Sequence, residues 1–127
     1  MPIHLDVSHL DRTVIAVVLG EATSDDISNM MQRFVETGAL HYRKIIDTSA
    51  AHVAISPTQV EGIAAAVRAD PKAGSRGPLA FVVDLEQAEF AEKFAEVTEG
   101  ERPVKVFGSI HAARKWLDEC SKVKARR

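Results

Sequence analysis

Three short strand-like runs in this chain each lead into a residue that could do chemistry. Asp47 and Ser49 follow Tyr42 to Ile46, Asp84 follows Leu79 to Val83, and Ser109 follows Val104 to Phe107. If those runs are parallel strands, the carboxylates and hydroxyls gather at their C-terminal ends, where open α/β sheets bind ligands. The competing reading makes Asp84 and Ser109 helix caps, and Asp47 and Ser49 loop-shaping residues. Two carboxylates at unknown separation do not by themselves make a general acid/base pair, so both readings stand.

Ser56-Pro57-Thr58-Gln59 carries a second kind of chemistry. Ser at the cap, Pro at the first helical position and Gln at the third form a capping box. Ile55 and Val60 flank it as a hydrophobic staple. A phosphate placed on Ser56 or Thr58 would meet free N–H groups and the positive end of the helix, so capping and modification can share the same residues.

Other constellations are poorer. The five histidines, His4, His9, His41, His52 and His111, show no close ligand spacing, and Cys120 alone could join them. Metal binding needs three or four convergent ligands, so no metal and no cofactor is expected. Gly74-Ser75-Arg76-Gly77 lacks the lysine of a P-loop and the frame of a nucleophile elbow. It reads as a surface loop in which Arg68, Lys72 and Arg76 form a weak anion patch. No nucleophile, base and orienting group can be assembled, so the chain reads as non-enzymatic.

Met30, Met31, Phe34, Phe90, Phe94 and Trp116 are the large apolar residues best able to line a pocket or an interface. At helical spacing such a stripe is ordinarily core. The alternative is a small apolar cavity for a ligand, or a homodimer contact.

The elements that position these residues follow from periodicity. Ile3, Leu5 and Val7 alternate with polar residues, and Val14 to Leu19 is a continuous apolar run, which together predict an antiparallel hairpin with its first strand at a sheet edge. Ile27, Met30, Met31, Phe34 and Val35 predict a helix from Thr23 that Gly38 stops. Val60, Ile63, Ala64 and Val67 predict a second, ending before Asp70-Pro71. Asp84-Leu85-Glu86-Gln87 has the spacing of another capping box, ahead of a helix bearing Phe90, Phe94 and Val97. A strand from Val104 to Phe107 and a helix from Ser109 complete the order β-β-α-β-α-β-α-β-α.

That order predicts an α/β fold: a single-domain, mixed, mostly parallel five-stranded sheet with about four helices, covered mainly on one face. Val17, Ile45, Phe81 and Val106 are expected to share one core. A chain of 127 residues suits one domain. We place this domain at residues 1–120, with a basic tail at 121–127. Apolar residues are 46% and charged residues 27% of the chain, a globular balance. Net charge is −2, and the body lacks the basic, aromatic face of a nucleic-acid binder. One cysteine and the absence of a leader or of a membrane-length apolar run point to a cytoplasmic protein without membrane insertion.

Several of these segments together resemble the STAS and SEC14-like group of bacterial proteins, of SpoIIAA-like topology. They are Gly20-Glu21-Ala22-Thr23 before the first helix, Ile45-Ile46-Asp47, the Ser56 to Gln59 helix start, and Val106-Phe107 through Ala112, Ala113, Trp116 and Leu117. The resemblance implies the fold of the anti-sigma-factor antagonists. It further implies a regulatory or protein-interaction domain with an unknown protein partner, or alternatively a SEC14-like carrier of a small apolar ligand or lipid. In the antagonists, a serine at the start of the second helix is phosphorylated after an acidic residue and before a serine and a glycine. Ser56 takes that place here, with Ile55 for the acid and Pro57 for the second serine. A two-component receiver domain would need an acidic pair and a lysine where Gly20-Glu21 and Gly108-Ser109 stand.

Overall fold

The alternating run and the continuous run pair as a hairpin. In the computed structural model, which describes residues 3–70 and 76–125 with side chains as far as residue 120, β1 (Ile3–Ser8) lies antiparallel to β2 (Thr13–Ala22). The register sets Ile3 opposite Val18 and Ser8 opposite Thr13. β3 (Arg43–Val53), β4 (Leu79–Val82) and β5 (Val104–Phe107) follow in parallel, giving the spatial order β1-β2-β3-β4-β5 with β1 at an edge. The expected α/β, mixed and mostly parallel five-stranded sheet is present.

Two strands outrun their aliphatic segments. β2 continues through Gly20-Glu21 to Ala22, and β3 through Asp47-Thr48-Ser49 to Val53, so segments that read as turns are strand. Pairing with each other compensates for their weak intrinsic strand character. The register slips between Val17 and Leu19, and Gly20 takes φ 67°, a conformation that favours glycine at such an irregularity.

The helices start as their caps dictate. Thr23 caps α1 (Ser24–Glu36): its Oγ1 accepts from Asp26 N at 3.2 Å while Asp26 Oδ2 accepts from Thr23 N at 2.9 Å. Gly38, at φ 70°, closes that helix with its N–H on Val35 O. α2 (Pro57–Ala69) starts on the Ser56 box, with Gln59 N donating to Ser56 Oγ at 3.2 Å and Ser56 N donating to Gln59 Oε1 at 2.9 Å. The box expected at Asp84 does not form. Asp84 Oδ1 accepts from Glu86 N at 3.0 Å and caps a 3-10 turn, Leu85–Gln87, and α3 (Glu89–Val97) begins beyond it without a side-chain cap. α4 (Ile110–Ala125) starts on Ser109, whose Oγ accepts from Ala112 N at 3.2 Å. It runs past residue 120 as one helix; Arg126 and Arg127 of the basic tail lie outside the described residues.

The core is double. α1, α2 and α3 cover one face of the sheet, where Val14, Val18, Ile27, Phe34, Ile46, Val60 and Phe81 are among the residues closed from solvent. α4 covers part of the other, packing Ala113 and Leu117 on Ile45, Ala80 and Val82. The expectation that Val17, Ile45, Phe81 and Val106 share a core is therefore corrected. The register aligns Ala16, Ile46, Phe81 and Val106, while Ile45 aligns with Ile15 and Ala80 one residue out of phase. Successive strand residues point to opposite faces, so Ile45 belongs to the α4 side and Phe81 and Val106 to the other.

Candidate functional site

At the C-terminal ends of β3, β4 and β5 the sequence-derived candidates do gather on one end of the sheet. Asp47 is opposite Val82, Val82 is opposite Phe107, and Asp84 and Ser109 each lie two residues beyond. Their hydrogen bonds, however, are local. Asp47 Oδ1 accepts from Ser49 N at 3.0 Å and from Ser49 Oγ at 2.6 Å, while Asp84 and Ser109 are spent on their own turn and helix. Among the described residues no cluster of three or more histidine, cysteine or carboxylate groups could hold a metal.

This end nevertheless has an unusual edge. β3 pairs with β4 only from Lys44 to Asp47, whereas its pairing with β2 continues from Ala50 to Val53. Among the described residues, no strand pairs with the other edge of that extension. Ser49, Ala50 and His52 are exposed, as are Ser56 and Thr58 just beyond. Gln59 Nε2 donates to Ser24 Oγ at 3.3 Å, tying the starts of α1 and α2 together behind this surface. Nearby apolar exposure comes from Leu85, 71% exposed, and Ile110, 41% exposed. Leu85 lies over Gly108, where an added Cβ would stand 3.2 Å from Leu85 Cδ1.

The six large apolar candidates do not share one surface. Met30, Met31, Phe34, Phe90 and Phe94 are buried in the large core, and Phe90 and Phe94 meet the Phe81 ring edge-on at 5.7 and 5.5 Å. Trp116 is on the opposite face of the sheet, 5.7 Å from Phe107.

The opposite, N-terminal end of the parallel strands holds groups that pattern reading passed over. Lys44 is 1% exposed, and its Nζ donates to Leu40 O at 2.6 Å, Tyr42 O at 2.8 Å and Gly77 O at 3.3 Å. Three carbonyls match the three N–H bonds of an ammonium. Burial, and then the Arg102 and Arg76 guanidinium groups, pull its pKa down to about 7. Arg102 lies 5.6 Å over the Phe94 ring, with Nε and Nη1 sealed from solvent and without an acceptor among the described residues. Its burial, and then Arg76, lower its pKa to about 10. Arg68 Nε and Nη2 grip Glu101 at 2.8 and 3.2 Å, and Nη2 also reaches Val97 O. The hydrogen bond from Arg68 holds the Glu101 carboxyl below its ordinary range. Of the anion patch expected from Arg68, Lys72 and Arg76, the two arginines are at this end, and Lys72 lies outside the described residues. The signal for the rest was a lysine inside an aliphatic strand and an arginine before Pro103.

No family model matches the chain, and no curated protein matches it in sequence. Solved structures do match in fold, two of SpoIIAA-like fold among them. One is an uncharacterised protein of the DUF3478 family with a SpoIIAA-like fold from Shewanella loihica PV-4, 17% identical, with 91% of each chain covered and a TM-score of 0.56. The other is the anti-sigma factor antagonist SpoIIAA in its unphosphorylated form, 13% identical, with 91% of this chain and 97% of that chain covered and a TM-score of 0.50. Among the described residues no helix is long and apolar enough to cross a membrane. The order of elements, the sheet with its antiparallel edge hairpin, and these two likenesses together give the protein the SpoIIAA-like, or STAS, fold.

Proposed function

We propose that this protein is a non-enzymatic regulatory module that binds a protein partner through the surface from Asp47 to Thr58. The observation that carries the reading is the extension of β3 past β4, which leaves strand backbone open on one edge beside an exposed helix start. Such an edge offers unpaired N–H and C=O groups to a partner strand, and adjacent side chains supply selectivity. The likeness to an anti-sigma factor antagonist supports an interaction role and leaves the partner open. Polar groups committed to their own turns and helix starts, rather than converging on a reacting position, also favour binding over catalysis.

Ser56 and Thr58 are the residues at which phosphorylation would regulate that binding. Ser56 is exposed and already sits over the first N–H groups of α2, so a phosphate there would keep favourable helix-end electrostatics while adding about −1.5 to −2 charge to the partner-facing surface. Partner affinity changes; the fold does not.

The test is site-specific photocrosslinking in the natural cell, with the crosslinker at Ser49, at Thr58 and, as a control, at the exposed Arg114 of α4. The same protein captured at Ser49 and Thr58 and missed at Arg114 is the expected result. Capture from Arg114 alone would move the partner surface to α4. Intact-mass and peptide mapping of the protein from that cell tests the phosphate, which should map to Ser56 or Thr58. The alternative, a carrier of an apolar ligand, is less favoured because Phe81, Phe90 and Phe94 already pack against one another.

A further inference from the structure

A cationic cluster remains at the other end of the sheet, remote in the fold from the surface just described. Lys44 is the second residue of β3, Arg76 precedes β4, Arg102 precedes β5, and Arg68 lies in the last turn of α2. The carboxylate among them, Glu101, has both oxygens on Arg68, and Asp70 is itself engaged. The Lys44 ammonium is turned to three backbone carbonyls. Arg102 is left with two sealed nitrogens that have no acceptor among the described residues, and its guanidinium lies over Phe94. Helix C-terminal carbonyls explain part of this charge, since Arg68 reaches Val97 O at the end of α3. They do not explain Arg102.

A buried guanidinium without an acceptor is costly, and native structures satisfy such groups with protein, water or an ion. Arg102 is only half-buried as a residue, as is Arg76, so their outer parts are within reach of a solute. The contact with the Phe94 ring, 5.6 Å from Arg102 Cζ to its centroid, restrains the guanidinium, which lowers the ordering cost of binding. Several cations beside carboxylates that are already engaged favour a multivalent anion over chloride, and guanidinium groups suit the oxygens of a phosphate.

We propose that Arg102 and Arg76, with the Lys44 ammonium behind them, bind the phosphate group of a small ligand or lipid at the N-terminal end of the parallel strands. The phosphate oxygens accept from the outer Nη2 of Arg102 and from the Arg76 guanidinium, and no covalent step is involved. Arg102 and Arg76 present their guanidinium groups just before β5 and β4.

Inorganic phosphate tests the chemistry, read by phosphorus NMR line broadening and by thermal unfolding at fixed ionic strength. The wild type is compared with Arg102→Met, which keeps the apolar stem, and with Arg76→Gln. The expected result is saturable broadening and stabilisation in the wild type, with affinity about tenfold weaker or worse in each variant. Arg76 is a part-buried loop residue, so its variant retains the test if Arg102→Met folds poorly. Sedimentation with phosphatidylcholine vesicles, with and without phosphatidic acid, then identifies the source. Pelleting that needs phosphatidic acid, Arg76 and Arg102 assigns the phosphate to a lipid headgroup, and saturable phosphate binding without pelleting assigns it to a soluble ligand. Equal phosphate responses in all three proteins, or none in the wild type, overturn the proposal.

Discussion

The two ends of the parallel strands satisfy their polar groups in opposite ways. At the C-terminal end, Asp47, Asp84 and Ser109 each bond to groups within three residues in sequence. At the N-terminal end, Lys44 reaches 33 residues to Gly77, Arg68 reaches 33 residues to Glu101, and Arg102 Nε and Nη1 find no acceptor among the described residues. Local bonds make tolerant surface that can change with a partner. The long-range bonds of the buried Lys44 join segments, so a substitution beneath them should cost the whole fold, whereas the exposed Arg68 pair belongs to the surface. That contrast ranks the effects of substitution from one end of the molecule to the other.

The largest effect is expected at Gly77. A Cβ there would sit 2.3 Å from His41 O and 2.4 Å from Tyr42 O, against backbone that the Lys44 ammonium and the Gly77 N–H to Leu40 O bond hold in place. Gly77→Ala should lower stability by about 3 kcal/mol, the upper range for overpacking. Ala at Gly62, whose Cβ position is open, is the control on an exposed helix site and should be neutral or slightly stabilising. Equal denaturation midpoints for the two variants would mean that the N-terminal end yields as readily as the surface.

Lys44 gives the next effect, and its sign follows from its charge. Its pKa falls from 10.5 unfolded to about 7 folded, so between those values the unfolded chain binds the extra proton and stability rises with pH. Below about pH 7 the cost of holding the ammonium in place is fully present; above it the cost is progressively relieved. Arg102, whose own pKa is lowered to about 10, stays largely charged between pH 7 and pH 9, and the carbonyls of Leu40, Tyr42 and Gly77 favour the ammonium and oppose its loss. Urea midpoints between pH 7 and pH 9 should rise for the wild type relative to Lys44→Met by the equivalent of about 1–3 kcal/mol, since each pKa unit is worth about 1.4 kcal/mol. Parallel curves would remove the buried charge from the account.

The C-terminal end should respond more mildly. Ser56→Ala should cost about 0.5–2 kcal/mol, and Ser56→Gly only a few tenths, because the exposed cap satisfies an N–H that water can otherwise reach. A cost above that of Gly77→Ala would reverse the ranking of the two ends.

What could be read in the sequence divides along the same line. Capping boxes at Ser56 and the aliphatic runs at Val14, Leu79 and Val104 are local signals, and they placed the elements and the sheet. Asp84 shows the limit of a local signal, since the spacing of a box gave a 3-10 turn once the chain had to reach α3. A continuous apolar run does not say which residue faces which layer, so Ile45 and Phe81 could not be assigned to different cores before the register was known. The extension of β3 through Asp47-Thr48-Ser49 depends on pairing with β2, which no window of sequence contains. Lys44 and Arg102 were illegible for the same reason: a cation inside a strand or before a proline gains its meaning from groups tens of residues away.

The smallest effect should come from an ionic contact that looks strong by distance. Arg43 Nη1 meets Asp118 Oδ1 at 2.6 Å while Arg43 Nε donates to Thr13 Oγ1 at 2.9 Å, joining α4 to the start of β2 and β3. It lies at the same N-terminal end as Lys44, yet Asp118 is 61% exposed in its side chain, so water competes for both partners. Exposed pairs contribute about 0–1 kcal/mol and weaken with salt, because ordering two side chains offsets most of the attraction. Asp118→Asn, which keeps the side-chain shape, should therefore change stability by less than about 1 kcal/mol, with the difference fading as salt is raised. Denaturant midpoints of the two proteins at low and high salt measure this directly. A larger, salt-independent loss would show that position at this end of the sheet matters by itself. The expected small loss would show that burial, and not charge or strand end, sets the cost.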